Sequence, residues 1–228
     1  MKKDLCELII IIDESGSMGN VKNDTIGGFN EFLKTHQEMP GEAKLTLVKF
    51  DNTYTIVNNG IDIQSVSKLT DRTYMPGGTT ALLDAVGKTI DDVGRRLDIT
   101  SEDEKPEKVM VMIITDGEEN ASKEYNLEQL KAKIKEQQDV WKWEFVFLGA
   151  DQDAWNNASS MGMYNAVNFT QANMGNTLKK MSHSSSGYRT RGVVDMNSYS
   201  MTEEEIDKDL QVMKDMAQNK TDTDTQTT

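Results

Sequence analysis

Residues 8–12, Leu-Ile-Ile-Ile-Ile, form an apolar, β-branched run with no alternation. A strand of that kind is shielded on both faces, as in the middle of a parallel sheet. The run ends at Asp13-Glu14-Ser15-Gly16-Ser17. Beyond it Ile26, Phe29, Leu33 and His36 recur at helical spacing, predicting an amphipathic helix that closes before Pro40-Gly41. Residues 44–50 alternate, and 53–63 keep β character after the Asp51-Asn52 turn, which predicts a hairpin at a sheet edge. Leu82, Val86, Ile90, Val93 and Leu97 mark a helix over 81–97, followed by a polar surface loop at 98–107. A second buried run, 109–114, ends in Thr115-Asp116-Gly117. Leu127, Leu130 and Ile134 then mark a helix capped by Asn126. A third strand at 143–148, a short helix near 153–161 and a weak strand at 166–169 complete the pattern.

Strands alternating with helices predict an α/β fold: a doubly wound, mostly parallel six-stranded sheet with one antiparallel edge strand and helices on both faces. At 228 residues the chain suits one such domain, expected over 1–181. Residues 182–200, rich in Ser, Gly and Asn and without periodicity, are expected to form a long flexible loop. Thr202-x-x-Glu205 is a capping box, and Ile206, Leu210, Met213 and Ala217 behind it predict an amphipathic helix over 201–218. The tail 219–228 has no apolar side chain and is expected to be disordered.

Charge narrows the partners. Asp and Glu outnumber Lys and Arg by 38 to 25, a net charge of -13 that repels phosphate backbones and anionic lipid, so neither nucleic acid nor membrane is expected as a partner. No apolar run approaches the roughly 20 residues of a membrane span, and Asp4 and Glu7 interrupt the basic start before a signal-type apolar stretch forms. With Cys6 as the single cysteine, in an apolar setting, a buried thiol and a cytoplasmic location are expected. His36 and His183 belong to no ligand-spaced cluster and are expected at the surface or an interface, and Glu118 and Glu119 as solvated loop residues.

The chemistry gathers at strand ends. In an open α/β sheet, ligands bind beyond the carboxyl ends of strands where the strand order reverses. Asp13-x-Ser15-x-Ser17 leaves one such strand and Asp116 another, while Pro76-Gly77-Gly78-Thr79-Thr80 precedes the helix at 81. Carboxylates and hydroxyls without sulfur or imidazole suit a hard cation, Mg²⁺ first, with Mn²⁺ or Ca²⁺ as alternatives. Either Thr79 or Thr80 supplies the third hydroxyl.

These three loops, in this order and spacing, resemble the metal-ion-dependent adhesion site of von Willebrand factor type A domains, over about residues 5–170. Thr80-Ala81-Leu82-Leu83-Asp84-Ala85 and Thr115-Asp116-Gly117-Glu118-Glu119-Asn120 are similar to stand-alone members from bacteria and phages, and the former favours Thr80 over Thr79. The resemblance implies that Ser15, Ser17 and Thr80 hold the metal directly, with Asp13 and Asp116 acting through water. It also implies a non-enzymatic module whose metal engages an Asp or Glu of a partner protein. Two alternatives stay open: a metal-dependent hydrolase or phosphotransfer enzyme using Asp13 as nucleophile, although Ser15 stands where the phosphatase pattern has a second Asp, and a phage or bacterial assembly component.

Overall fold

The computed structural model describes residues 1–150 and 154–225. Strand β1 (Lys2–Asp13) is buried without interruption from Leu5 to its end, because it lies between two parallel neighbours, β2 (Ala43–Phe50) and β4 (Pro106–Thr115). Strand β3 (Tyr54–Asp62) folds back antiparallel on β2, and β5 (Glu144–Ala150) and β6 (Asn165–Phe169) extend the other side in parallel. The order β3-β2-β1-β4-β5-β6 is the expected six-stranded sheet with one antiparallel edge.

The pleat divides the core. Leu8, Ile10 and Ile12 point to one face, where they meet Phe29, Phe32 and Leu33 of α1 (Lys22–Glu38) and Leu178 and Met181 of α5 (Met174–Arg191). Ile9 and Ile11 point to the other. There they meet Val86 and Ile90 of α2 (Leu82–Ile99), Leu130 and Ile134 of α3 (Leu127–Asp139) and Ala158 of α4 (Ala154–Ser160). Each fully buried aliphatic side chain contributes about 2 kcal/mol relative to exposure. The predicted Asn126 cap is present as a complete capping box with Gln129. Strand β4 begins at Pro106, so the loop expected at 98–107 is shorter, and Asp153, at the head of the expected short helix, lies outside the described residues.

Several expectations are corrected at the C-terminal end. Residues 182–191 are not a flexible loop but the second half of α5, which crosses the expected boundary at 181 without a break. Residues 196–200 form a 3-10 turn. The stretch lacks apolar periodicity because it is buried on nearly all sides, from Ser182 to Thr190. Three of its hydroxyls are satisfied inside the helix: Ser185 Oγ donates to the Met181 carbonyl at 2.9 Å, Ser186 Oγ to the Ser182 carbonyl at 2.8 Å and Thr190 Oγ1 to the Ser186 carbonyl at 2.9 Å, while those of Ser182 and Ser184 are buried without a partner among the described residues. Small side chains allow close approach of the neighbouring helices, and Gly192, left-handed at φ 74°, ends α5. Both histidines, expected at the surface or an interface, are fully buried.

Helix α6 (Glu203–Thr225) opens on the expected Thr202–Glu205 box and buries Ile206 and Met213. It continues to Thr225, so most of the tail expected to be disordered is helical, supported by a Gln218–Asp222 hydrogen bond one turn apart; residues 226–228 lie outside the described set. No helix among the described residues is long and apolar enough to cross a membrane.

Candidate metal centre

Since β2 and β3 lie on one side of β1 and β4, β5 and β6 on the other, the strand order reverses between β1 and β4. Asp13 ends the first of these strands, and Asp116 follows directly on the second. The crevice that the topology opens there is floored by Asp13, which is fully buried. Its Oδ1 accepts from the Ser15 amide at 2.7 Å and its Oδ2 from Thr115 Oγ1 at 2.6 Å. Ser15 Oγ lies 3.1 Å from Ser17 Oγ, and Ser17 Oγ donates to Asp116 Oδ1 at 2.5 Å.

Thr80 completes the ring. It is buried, whereas Thr79 is exposed. A Cβ placed on Gly117 would stand 2.6 Å from Thr80 Oγ1 and 3.4 Å from both Asp13 Oδ2 and Ser17 Oγ. Oxygens from two loops therefore converge beside a residue of the third that has no side chain. The structure brings together all five of Asp13, Ser15, Ser17, Thr80 and Asp116. Asp13, Ser15 and Thr80 form the floor, and Ser17 and Asp116 form a rim open to solvent.

Backbone contacts hold the loops in register. The Gly77 amide donates to the Glu14 carbonyl at 2.8 Å and the Gly16 amide to the Gly78 carbonyl at 3.2 Å. Gly78 is left-handed at φ 75°, and a Cβ there would lie 2.4 Å from Asn52 Oδ1, so the turn requires glycine. The Tyr74 hydroxyl donates to the Asp13 carbonyl at 2.6 Å. Glu14 turns away from the centre, accepting from Lys49 Nζ at 2.9 Å and from the Met75 amide at 2.6 Å.

A second set of polar residues had no role assigned from the sequence. The Thr80 amide donates to Asn120 Oδ1 and the Asn120 amide to the Thr80 carbonyl, both at 3.0 Å. Glu119, expected to be solvated, instead accepts from the amides of Leu83, Ala121 and Ser122; Glu118 is exposed. Asp84 accepts from the amides of Lys123, Glu124 and Tyr125. Asp84 and Glu119 thus clamp the β4–α3 loop against the start of α2, and Thr80 sits between them. No single-residue signal distinguishes such acceptors from solvated acids; only the fold brings orphan amides to them.

Burial pushes the Asp13 carboxyl above its ordinary range, hydrogen bonds from Thr115 and Ser15 pull it back, and the charge of Asp116 adds to the rise. The two carboxylates repel one another, and a cation bound beside them would relieve that repulsion. The donor set fits the group: three hydroxyls and two carboxylates are hard oxygens. In octahedral coordination at ~2.1 Å, adjacent oxygens lie about 3 Å apart, close to the 3.1 Å between Ser15 and Ser17.

An open, mixed α/β sheet with helices on both faces and this cluster of oxygens at its reversal point defines the class of fold. The chain belongs to the von Willebrand factor type A domain family, whose model matches residues 7–184. Among solved structures it is similar to the von Willebrand factor type A protein from Catenulispora acidiphila, at 13% identity and TM-score 0.54, covering 78% of this chain and 42% of that one. It is also similar to manganese-loaded TRAP protein from Plasmodium vivax, at 16% identity and TM-score 0.51, covering 80% of this chain and 74% of that one. A third is proximal thread matrix protein 1 from the mussel byssus with a zinc-occupied MIDAS motif, at 14% identity and TM-score 0.51, covering 76% of this chain and 46% of that one. The chain therefore spans less than half the length of the first and third of these. At such identities the likeness is one of fold. No curated protein sequence matches the chain.

Proposed function

We propose that this chain is a non-enzymatic protein-binding module that holds a divalent cation, Mg²⁺ by preference, and through it engages an Asp or Glu side chain of a partner protein. Ser15, Ser17 and Thr80 hold the ion directly, and Asp13 and Asp116 hold it through water. The cation supplies electrophilic attraction for a carboxylate, left strong because the direct protein ligands are neutral hydroxyls.

The observation that carries the reading is the convergence of Thr80 Oγ1, Asp13 Oδ2 and Ser17 Oγ beside Gly117. The manganese and the zinc named for two structures of the same fold support a divalent ion at the corresponding place. A hydrolase reading needs a carboxylate free to attack, but both oxygens of Asp13 already accept hydrogen bonds, and the side chain is fully buried. The open rim of Ser17 and Asp116 leaves room for a partner side chain.

The test is calorimetry with Mg²⁺ on the wild type and on Asp13→Ala, followed by affinity capture in Mg²⁺ against a chelated control and an Asp116→Ala bait. Partners retained only by the wild type in Mg²⁺ support the proposal. Equal Mg²⁺ affinity in the Asp13→Ala protein overturns it.

A further inference from the structure

At the opposite end of the sheet, roughly 25 Å along β1 from Asp13, lies a cavity of about 380 Å³. Its walls come from the start of β1, the α1–β2 connection, the last turn of α5 and the C-terminal turns of α6. Two of these elements, the end of α5 and all of α6, lie beyond the family match at 7–184.

Its charge is opposite to that of the molecule. On a chain of net charge -13, the cavity gathers Lys2, Lys3, Arg189 and Lys220, with Asp4 and Glu42 as its acidic members. Both acids are engaged: Glu42 by Lys2 at 2.6 Å, and Asp4 by Lys220 at 3.6 Å and by Lys108, just behind the wall, at 3.7 Å. Lys3 is exposed and meets no acid within ion-pair distance among the described residues. Arg189 is only 7% exposed, and its acceptors are all neutral: His36 Nδ1 at 3.1 Å, the His36 carbonyl at 2.9 Å and the Gly41 carbonyl at 3.1 Å. No carboxylate among the described residues reaches it. Three acceptors for five guanidinium N–H groups leave Nε–H, and at least one further N–H, without an acceptor among the described residues.

A buried guanidinium without a counter-anion is costly, and its side edge is the fork that grips a carboxylate or phosphate with two parallel hydrogen bonds. Met39, Pro40 and Ala217 add apolar wall beside the charged groups. We propose that this cavity binds a small organic oxyanion, whose carboxylate or phosphate head sits on the free N–H groups of Arg189 within reach of Lys3 and Lys220, and whose short apolar body lies against Met39 and Pro40. Because Lys220 and Ala217 belong to α6, occupancy also fastens that helix to the domain.

The experiment is calorimetric titration of the full chain with hexanoate, butyl phosphate and inorganic phosphate, in chelator so that the metal centre at the other end takes no part. The expected result is saturable one-site binding of at least one alkyl anion. Lys3→Glu and Lys220→Glu should each weaken it about tenfold while leaving the melting temperature of the free protein close to wild type. The tighter of hexanoate and butyl phosphate names the head group, and tighter binding of butyl phosphate than of inorganic phosphate supports the apolar wall. Arg189→Gln should abolish binding, but since that residue also ties α5 to α1, the two rim variants decide the matter. Absence of saturation with all three probes, or affinity unchanged in both rim variants, overturns the proposal.

Discussion

Thr115 Oγ1 donates to Asp13 Oδ2 at 2.6 Å, joining the ends of the two central strands beneath the candidate metal centre. This bond and the one from the Ser15 amide are what hold a buried carboxylate in one orientation. Thr115→Val keeps the shape and removes the donor, so a buried carboxylate oxygen loses its partner, at about 1–3 kcal/mol. Urea denaturation should show that loss, and the Mg²⁺ titration should weaken with it. A Thr115→Val protein with wild-type stability and wild-type Mg²⁺ affinity would remove Thr115 from the account.

Gly117 offers a sharper separation of folding from binding. Its hypothetical Cβ meets Thr80 Oγ1 at 2.6 Å, too close for any real methyl group, whereas Gly94 on α2 has open space at the same atom. Gly117→Ala should therefore weaken Mg²⁺ at least about tenfold by displacing the Thr80 hydroxyl, and Gly94→Ala should leave affinity intact and add about 0.5–1 kcal/mol through helix propensity. Parallel calorimetry and thermal melts check both. Equal Mg²⁺ affinities in the two variants would show that the oxygen ring is not the binding site.

The strand ends were readable because they carry strong local signals: an uninterrupted run such as Leu8 to Ile12 cannot be solvated, and its last residue marks the crevice. Resemblance favours Thr80 over Thr79, and the fold adds an independent reason, since only Thr80 is buried beside Gly117. Helix α5 is hidden in the sequence for the opposite reason. Ser184, Ser185 and Ser186 are as polar as any loop, yet all three are buried: Ser185 and Ser186 bond their hydroxyls to carbonyls of their own helix, and the small side chains let α5 pack against α1. His36 and Arg189 were equally illegible: they meet only because α1 and α5 lie side by side, with their positions far apart in sequence.

The clamp made by Asp84 has its own pH signature. Burial raises its carboxyl, but the amides of Lys123, Tyr125 and Glu124 outweigh that and hold it below the ordinary 3.8. A carboxyl depressed on folding contributes stability that is complete above its unfolded value and is lost as pH falls through the folded one. Asp84→Asn should thus destabilise the protein by about 1–2 kcal/mol at neutral pH, where the charge-assisted bonds are present. The difference from wild type should shrink below pH 3.8. Chemical denaturation at pH 7 and near pH 3 compares the two, and a difference that does not change with pH would count against the clamp.

His36 governs the milder acid range. Burial first, and then the neighbouring Arg189 charge, hold its imidazole well below the ordinary 6.5. In the fold, Arg189 Nη1 donates to Nδ1 at 3.1 Å, which leaves the ring proton on Nε2, 2.8 Å from Ser185 Oγ. A second ring proton would remove that acceptor and set imidazolium against guanidinium, with Phe32 closing the pocket. The unfolded chain takes up the proton from pH 6.5 downwards while the folded one refuses it, so stability is complete above 6.5 and falls as pH drops below it. Urea midpoints at pH 7.5 and 5.5 should show wild type losing stability between the two. His36→Gln, which keeps a carbonyl acceptor for Arg189 without a titrating ring, should be less stable at pH 7.5 yet lose less on acidification; an acid loss of the same size in the variant would mean that another group is responsible.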